Sequence, residues 1–351
     1  MRAVRFHGHG GPDVLVLETA PDPQPRAGHV VVRVHACALN HLDLWQRRGL
    51  DRVTIPFPHI SGADVAGEVV EAPGGEFAPR TRVLLQPGLS CGRCEACLSG
   101  RDNTCPTYDV LGYRSDGGYA DYVQVPAANV VPIPGGVSYV DAAAFPLTFL
   151  TAWHMLVTRA RVAPGERVLV LAGGSGVGQA AIQVARLHGA HVIATAGSEA
   201  KRQRARELGA HEVIDHYASD IASEVRRLTD KRGVDVVVEH VGQATWAKSV
   251  RSLAPGGRLV TCGNTTGWEG AIDLRFLFSR QLSLLGSYMG TKAELLQAAR
   301  FLFDGRFRPL VDAVLPLSAA ADAHRRLEAG EVCGKLVLTP QAVNFAPPSA
   351  V

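Results

Sequence analysis

The stretch "VLVLAGGSGVGQAAIQVARLHGAHVIATAG", residues 168–197, joins an apolar strand, a glycine-rich turn, a helix and a second apolar strand. The glycines of the turn are Gly173, Gly174, Gly176 and Gly178. Without side chains, this turn lets backbone N–H groups and the helix N-terminus approach a pyrophosphate. In the G-x-G-x-x-G pattern, the small residue Ser175 replaces the middle glycine. A glycine-rich turn in this strand–turn–helix context predicts a dinucleotide-binding site.

The segments around this stretch continue the same alternation. Strand-like "RVLVLAG", "HVIATAG", "EVIDH", "VDVVVEHVG", "GGRLVTCG" and "LSLLGSY" alternate with helix-like segments such as "VGQAAIQVARLHG" and "AKRQRARELGA". Continuous Val, Leu and Ile runs separated by helices indicate a parallel sheet covered on both faces. We therefore predict a doubly wound α/β domain in this part of the chain.

The first third of the chain has a different texture. It contains the short, period-two segments "HVVVRVHACAL", "ADVAGEVVEA", "TRVLLQPG" and "YADYVQVP", each interrupted by Pro or Gly. Such segments predict strands of a partly closed β-structure. The helical "KAELLQAARFLFDG" and a last strand, "CGKLVLTP", lie after residue 291 and are expected to return to this first domain.

Length and charge restrict the classes of function. A chain of 351 residues fits about two domains. With 36 basic and 33 acidic residues the net charge is only +3, which disfavours a nucleic-acid partner. No apolar run reaches the length of about eighteen residues that a membrane span needs, so no membrane association is expected. The N-terminal "MRAVRFHGHGGPDVLVLE" carries no export signal, and we expect a cytoplasmic protein with reduced thiols.

Four cysteines in "CGRCEACLSGRDNTC" have the spacing of a metal site. Cys91, Cys94, Cys97 and Cys105 supply four thiolates, enough to complete a zinc tetrahedron. A catalytic zinc keeps one position open, so this set predicts one structural zinc ion per chain. Disulfides and a redox CxxC pair are the alternatives, and the cytosolic expectation disfavours the former. Cys37, Cys262 and Cys333 stand singly among apolar residues and are expected to be buried.

The end of the second strand bears on the choice of nicotinamide cofactor. NAD-binding sites place Asp or Glu there to accept from the ribose hydroxyls. This chain has Ala196, Gly197 and Ser198, followed by Lys201 and Arg202. A hydroxyl and two cations suit the 2′-phosphate of NADPH, so NADPH is favoured over NAD. The alternative for the basic run is a solvated helix face.

A β-rich first domain with a four-cysteine lobe, a dinucleotide-binding unit and a C-terminal return together resemble the medium-chain dehydrogenase/reductase superfamily. The resemblance implies a GroES-like catalytic domain, a partly closed β-barrel, at residues 1–148 with the zinc lobe at 88–108. It further implies a Rossmann domain at 149–290 and a return to the catalytic domain at 291–351. Members of this superfamily are often dimers or tetramers, so a homodimer or homotetramer is expected.

The lobe is similar to that of zinc alcohol dehydrogenases, but the catalytic zinc positions are not. Where those enzymes carry a Cys, a His and a third ligand, this chain has Asn40, Ala63 and Leu147. The combination of Asn with "GAD" (residues 62–64) resembles the quinone oxidoreductase-like branch, which reduces enones or quinones without zinc. A substitute metal site from His41, His59 and Asp64 remains an alternative on ligand chemistry.

We therefore expect an enzyme that transfers hydride from NADPH to a small electron-poor substrate, a conjugated enone or quinone, without a catalytic zinc. Alternatives are an alcohol dehydrogenase with an irregular metal site and a non-catalytic NADPH-binding sensor. The resemblance implies that Asn40 orients substrate or nicotinamide ribose, that Trp45 forms an aromatic wall and that Thr151 lies by the nicotinamide. Asp43 and Asp64 are expected to anchor backbone. The predicted cofactor-binding residues are Asn40, His41, Thr151, Gly173, Gly174, Ser175, Gly176, Val177, Gly178, Ser198, Lys201, Arg202 and Gly263.

Overall fold

The structure is a computed structural model that describes residues 1–50 and 53–340. The chain divides into two compact units. The first unit comprises Met1–Leu147 and the C-terminal stretch from Thr291, and the second is Thr148–Gly290.

The first unit is built on a mixed sheet with the strand order β16-β17-β3-β4-β5-β9, and β8 also pairs with β3. Its strands and those of two small two-stranded sheets are β1 (Arg2–Arg5), β2 (Val16–Thr19), β3 (His29–Ala38), β4 (Asp64–Glu71), β5 (Arg82–Leu85), β6 (Gly88–Leu89), β7 (Asp109–Val110), β8 (Tyr122–Pro126), β9 (Val130–Pro132), β16 (Val311–Pro316) and β17 (Lys335–Thr339). The alternating Val30, Val32 and Val34 of β3 are buried in the core of this unit, as their period of two predicts. The four predicted strands are confirmed.

One register in this sheet determines where the polar side chains described below meet. Ala38, at the end of β3, lies opposite Asp64 on β4 and opposite Val337 on β17. Both pairings are antiparallel, so the start of β4 and the start of β17 flank the end of β3. Residues that precede or follow these strands therefore gather at one edge of the sheet.

The α-helices of the first unit range from four to twelve residues. They are α1 (His41–Arg48), α2 (Glu95–Leu98), α3 (Tyr139–Ala144), α10 (Lys292–Phe303) and α11 (Ala320–Glu328). The strand β16 and helix α11 have no counterpart in the sequence prediction. "VDAVLP" is only half-buried, and the buried face of "AADAHRRLE" consists of Ala320, Ala323 and His324, none of which is strongly apolar.

The second unit contains a six-stranded, fully parallel sheet in the order β12-β11-β10-β13-β14-β15. Its strands are β10 (Arg167–Val170), β11 (His191–Ala196), β12 (Glu212–Asp215), β13 (Val234–Glu239), β14 (Leu253–Thr261) and β15 (Ser283–Gly286). The chain proceeds outward from β10 to β12 and then resumes on the other side at β13, which creates a crevice at the carboxyl ends of β10 and β13. The predicted doubly wound fold is confirmed.

The helices of this part are α4 (Pro146–Trp153), which spans the division between the units, α5 (Gly176–Leu187), α6 (Glu199–Glu207), α7 (Ile221–Leu228), α8 (Gln243–Arg251) and α9 (Leu274–Ser279). Val168, Leu169 and Val170 of the central strand are fully buried. This burial explains the continuous apolar runs in the sequence. None of the helices within the described residues is both long and apolar enough to span a bilayer.

Candidate active site and metal centre

The glycine-rich turn joins β10 to α5. Ser175 is the N-cap of α5, and its Oγ accepts a hydrogen bond of 3.0 Å from the Gly178 N–H. A Cβ at Gly178 would lie 2.1 Å from the carbonyl oxygen of Ala172, so only glycine fits. The turn therefore presses the helix start against the end of β10, which leaves N–H groups at the helix terminus available to an anion. The predicted residues 173–178 form one continuous turn that suits a pyrophosphate.

The end of β11 lies beside this turn. Ser198 is the N-cap of α6 and its Oγ accepts from the Lys201 N–H at 3.3 Å. A Cβ atom added at Gly174 would lie 3.1 Å from the Cβ and Cγ atoms of Lys201. The stem of Lys201 thus packs on the glycine-rich turn. Ser198 and Lys201 are accordingly brought together at the carboxyl end of the sheet.

Arg202 is placed differently from the prediction. Its guanidinium forms ion pairs with Glu199, at 2.7 Å, and with Asp215. The hydrogen bond with Glu199 and the two carboxylates raise the pKa of Arg202. Because both carboxylates already balance its charge, this geometry argues against a role of Arg202 in holding a phosphate.

Two residues that the sequence analysis missed lie against Gly197, at the end of β11. A Cβ on Gly197 would lie 2.4 Å from the ring of Tyr217 and 2.8 Å from Nε2 of His216. Both side chains follow β12, whose end neighbours that of β11 in the sheet. The motif of the first two strands does not include His216 and Tyr217. The signal that could have located them is the third strand, because parallel strands end at the same edge of a sheet.

A cavity of about 430 Å³ opens at the ends of β13, β14 and β15. Its walls come from the loops that follow these strands, including Gly242, Gly263, Asn264 and Ser287, and from Trp246 on α8. Of the predicted residues, Gly263 lines this cavity, whereas Thr151 is buried on α4 and does not line it. All residues that line the cavity belong to the second unit.

Glu239 supports one wall of this cavity. It is fully buried at the end of β13, and its carboxylate accepts from the N–H groups of Val241 and Gly242 at 2.7 and 3.0 Å. The hydroxyls of Thr245 and Ser249 also donate to it, at 2.9 and 2.5 Å. This full set of donors satisfies the buried carboxylate and holds the loop after β13 in one conformation.

In the first unit, a buried polar cluster forms at the sheet edge where β3, β4 and β17 meet. Asn40 follows β3, and its amide Nδ2 donates to Asp64 Oδ2 at 2.9 Å. Lys335 Nζ donates to Asn40 Oδ1 at 2.7 Å and to Asp64 Oδ2 at 3.0 Å. The other carboxylate oxygen of Asp64 accepts from the Leu147 N–H at 2.8 Å. Asp64 thus anchors backbone as predicted, whereas Lys335 was not anticipated.

A second buried chain of polar groups adjoins this cluster. Asp43 Oδ2 accepts from the backbone N–H of Asn40 at 2.7 Å and from the hydroxyl of Tyr119 at 3.2 Å. The same hydroxyl lies 3.3 Å from Nε2 of His324. Burial raises the pKa of Asp43 to about 6, and burial lowers the pKa of His324 to about 3. Asp43 therefore also anchors backbone, as the sequence analysis expected.

The predicted Trp45 and His41 lie on α1. His41 is exposed and Trp45 half-buried, and their ring centroids are 6.4 Å apart. Trp45 therefore presents part of its ring to solvent within the first unit.

The substitute metal site is not formed. His59 is fully buried, with its Nε2 2.6 Å from Gln46 Nε2 and 3.2 Å from the Gly112 carbonyl oxygen. Among the described residues, the metal-ligating side chains that come together are the four cysteines alone, and His41, His59 and Asp64 form no such group. Amide, methyl and isobutyl side chains at Asn40, Ala63 and Leu147 do not suit zinc either.

The four-cysteine lobe lies between β6 and β7 and does suit zinc. The ligand sulfur atoms of Cys91, Cys94, Cys97 and Cys105 all lie within 4.8 Å of one another, with 3.5 Å between those of Cys94 and Cys97 and 3.9 Å between those of Cys91 and Cys97. Thiolates at 2.3 Å from a tetrahedral zinc are about 3.8 Å apart. The backbone N–H of Cys91, followed by the Thr107 hydroxyl, lowers the pKa of Cys105 to about 6.

The remaining cysteines differ in burial. Cys37 is buried as predicted, whereas Cys262 and Cys333 are only half-buried, which corrects the expectation for these two. Each lies next to a strand end rather than inside a strand, and apolar neighbours in sequence did not reveal this.

Known protein families match both units of the chain. Residues 26–135 match the alcohol dehydrogenase GroES-like domain and residues 176–304 the zinc-binding dehydrogenase domain. A quinone oxidoreductase from Homo sapiens is 30% identical, and an NAD-dependent alcohol dehydrogenase from Sulfolobus acidocaldarius is 32% identical; each match covers 96% of this chain and at least 97% of the relative. A solved structure named as an NAD-dependent alcohol dehydrogenase is 49% identical, with a TM-score of 0.94 over 97% of this chain and 100% of the other.

The chain belongs to the medium-chain dehydrogenase/reductase superfamily and is an oxidoreductase. Members of this family bind a nicotinamide cofactor and often zinc, and the glycine-rich turn and the four-cysteine lobe are the parts of this chain that suit them.

Proposed function

We infer that this protein reduces a conjugated enone or a quinone with hydride from NADPH and without a catalytic zinc. The observation that carries this proposal is the buried cluster of the first unit. At the positions where zinc alcohol dehydrogenases hold their catalytic metal, Asn40 is hydrogen-bonded to Asp64 and Lys335, and Ala63 and Leu147 offer no ligand atom. An ammonium group 3.0 Å from the Asp64 carboxylate is a poor neighbour for a divalent ion.

The chemistry of the substrate follows from this lack of a Lewis acid. Reduction of an isolated ketone develops negative charge on one oxygen, which zinc stabilises by several kcal/mol. In an enone or quinone the charge is delocalised to a distant oxygen, and a few fixed hydrogen-bond donors suffice. When bound, NADPH supplies the hydride that adds to the β-carbon, and solvent supplies the proton that completes the product.

The protein's own residues bind and orient in this scheme. The remaining N–H of the Asn40 amide is proposed to donate to the substrate oxygen, and the half-buried ring of Trp45 to contact a planar substrate. The turn of residues 173–178 is proposed to hold the pyrophosphate. Thr151 and the cavity lined by Gly263 are proposed to hold the nicotinamide half.

Two features support NADPH rather than NADH. The end of β11 carries Ala196, Gly197 and Ser198 in place of a carboxylate, and the Lys201 stem packs on Gly174. The solved relatives include both an NAD-dependent alcohol dehydrogenase and, at 26% identity with a TM-score of 0.90, a crotonyl-CoA carboxylase/reductase in complex with NADP. The 49% identical relative makes NAD-dependent alcohol oxidation the second candidate function.

A matched pair of substrates tests the proposal on the purified full-length protein. Cyclohexenone and cyclohexanone differ by the conjugated double bond alone, and each is offered with NADPH and with NADH, while cyclohexanol is offered with NAD⁺ and NADP⁺. We expect cyclohexenone and a naphthoquinone to be reduced with NADPH roughly tenfold or more faster than cyclohexanone. We also expect one zinc per chain by elemental analysis.

Faster oxidation of cyclohexanol than reduction of cyclohexenone, together with two metals per chain, would establish the alcohol dehydrogenase instead. Tight NADPH binding without turnover of any of these compounds would favour the sensor.

A further inference from the structure

The ammonium of Lys335 is buried and has no role in the scheme above. Lys335 lies at the start of β17 and is 3% exposed, and Asp64, with which it forms an ion pair, is fully buried. A buried ion pair seldom stabilises a fold more than apolar packing of the same volume would. Its position next to the proposed substrate-binding amide of Asn40 therefore requires another explanation.

The three side chains form a closed ring of contacts. Nζ of Lys335 lies 2.7 Å from Oδ1 of Asn40 and 3.0 Å from Oδ2 of Asp64, and that same Oδ2 accepts from Nδ2 of Asn40 at 2.9 Å. A carboxylate is an acceptor only and an ammonium a donor only. If the amide rotated by half a turn, its N–H₂ would face the ammonium and its oxygen the carboxylate, and both contacts would be repulsive.

The ring therefore determines which atoms of Asn40 remain for a ligand. One N–H is used by Asp64, so the second N–H of Nδ2 is the donor that the ring leaves over. The backbone of Asn40 is fixed as well, because its N–H donates to the buried carboxylate of Asp43 at 2.7 Å. The strand register favours the arrangement. Val337 lies opposite Ala38 in an antiparallel pair, so Lys335, two residues before Val337, and Asn40, two residues after Ala38, lie at the same end of that pair.

We propose that Lys335 and Asp64 are positioning residues that hold the Asn40 amide in one orientation, with an N–H directed to the oxygen of the substrate. The proposal rests on the proposed function, since it assumes that Asn40 contacts the substrate. A purely structural ion pair would affect folding alone. A positioning pair must act through Asn40.

A double-mutant cycle distinguishes these cases. Lys335→Met keeps the length and volume of the side chain and removes the ammonium, Asn40→Ala removes the amide, and the third variant carries both substitutions. We expect Asn40→Ala, which removes the donor itself, to lower kcat for the enone about 100-fold or more. Lys335→Met, which leaves the donor present but free to rotate, should lower kcat about 10-fold to 100-fold. The double variant is expected to lose no more than Asn40→Ala does, because the ammonium has no amide left to orient.

Further measurements separate positioning from general damage. The Kd for NADPH, read from the fluorescence of the dihydronicotinamide, should change less than about twofold in Lys335→Met, since the glycine-rich turn is untouched. Lys335→Arg, which keeps the cation, should restore most of the lost kcat. Lys231→Met, at an exposed lysine, is the matched control and should behave as the wild type.

Each result decides one point. If the fold-losses in kcat of the two single variants multiply in the double variant, the positioning role is overturned and Lys335 and Asp64 form a structural ion pair only. Wild-type protein without enone or quinone turnover would instead overturn the proposed function itself. Lys335→Met leaves Asp64 as an unpaired buried charge. If the variant therefore fails to fold, Lys335→Met is combined with Asp64→Asn, which removes both charges, and Asn40→Ala is compared in the presence and absence of this combination.

Discussion

Replacement of Asp43 by Asn is expected to change how the stability of this protein depends on pH. Asp43 is a buried carboxyl on α1, and burial raises its pKa from the ordinary 3.8 to about 6, although the Asn40 N–H and the charge of Lys335 act in the opposite direction. In the folded chain the carboxyl therefore binds its proton more tightly than in the unfolded chain. This term favours the folded state below about pH 4, weakens as the pH rises to about 6 and is then constant.

The size of the effect follows from the two pKa values. At 1.36 kcal/mol per pH unit, the difference between 3.8 and about 6 corresponds to about 3 kcal/mol. Asn cannot ionise, so Asp43→Asn removes this term. The measured quantity is the free energy of unfolding of the variant minus that of the wild type. This difference should rise by about 3 kcal/mol between about pH 4 and pH 7, whatever its value at low pH.

Urea unfolding of both proteins side by side, at a series of pH values in one zinc-containing buffer, measures this shift. Contributions from other groups, including the cysteine thiols, cancel in the difference between the two proteins. Asp230→Asn, at an exposed position, controls for the loss of one negative charge. A difference that stays constant over this pH range, or that moves in favour of the wild type, would refute the assignment of a raised pKa to Asp43.

Three other expectations concern the metal lobe and the cofactor turn. Cys105→Ser should release the zinc ion, measured as metal per chain, because three thiolates and a hydroxyl bind zinc far more weakly than four thiolates. Gly178→Ala should weaken NADPH binding about tenfold or more in a fluorescence titration, since its Cβ would lie 2.1 Å from the Ala172 carbonyl oxygen and displace the turn. Lys201→Ala should raise the Kd of NADPH about tenfold and leave that of NADH within about twofold. Arg202→Ala is the control and should change the Kd of both cofactors little and to the same extent. If Lys201→Ala weakened the binding of both cofactors equally, a contact between Lys201 and the 2′-phosphate would be contradicted.

Much of the fold was predictable because its signals are local. The apolar run before Gly173 and the helix after it are separated by a turn that admits no other residue than glycine at position 178, and each of these features is legible in about thirty residues. The strands of the first unit alternate apolar and polar residues, and the cysteine spacing of the lobe is short enough to be read directly. In contrast, β16 was missed because it is only half-buried, and α11 because its buried face consists of the small or polar residues Ala320, Ala323 and His324.

The residues of the candidate site likewise fall into those that sequence motifs reveal and those whose surroundings depend on the tertiary structure. Asn40 and the glycine-rich turn were selected from sequence motifs, and the structure shows what each contacts. Arg202 was selected for its charge, but charge alone does not reveal that Glu199 and Asp215 neutralise it. His216 and Tyr217 were overlooked because their proximity to Gly197 depends on the pairing of β11 with β12.

By itself, the sequence determined the parallel-sheet unit with its glycine-rich turn, the four-thiolate lobe and the amide, methyl and isobutyl side chains of Asn40, Ala63 and Leu147. These are properties of residue type and short spacing, which folding does not alter. Only the tertiary structure decided that Lys335 lies 2.7 Å from Asn40, across 295 residues of chain. The reason is physical: the contact depends on two antiparallel strand registers, and the burial of an ammonium group is tolerated only where folding has already placed a carboxylate and an amide oxygen around it.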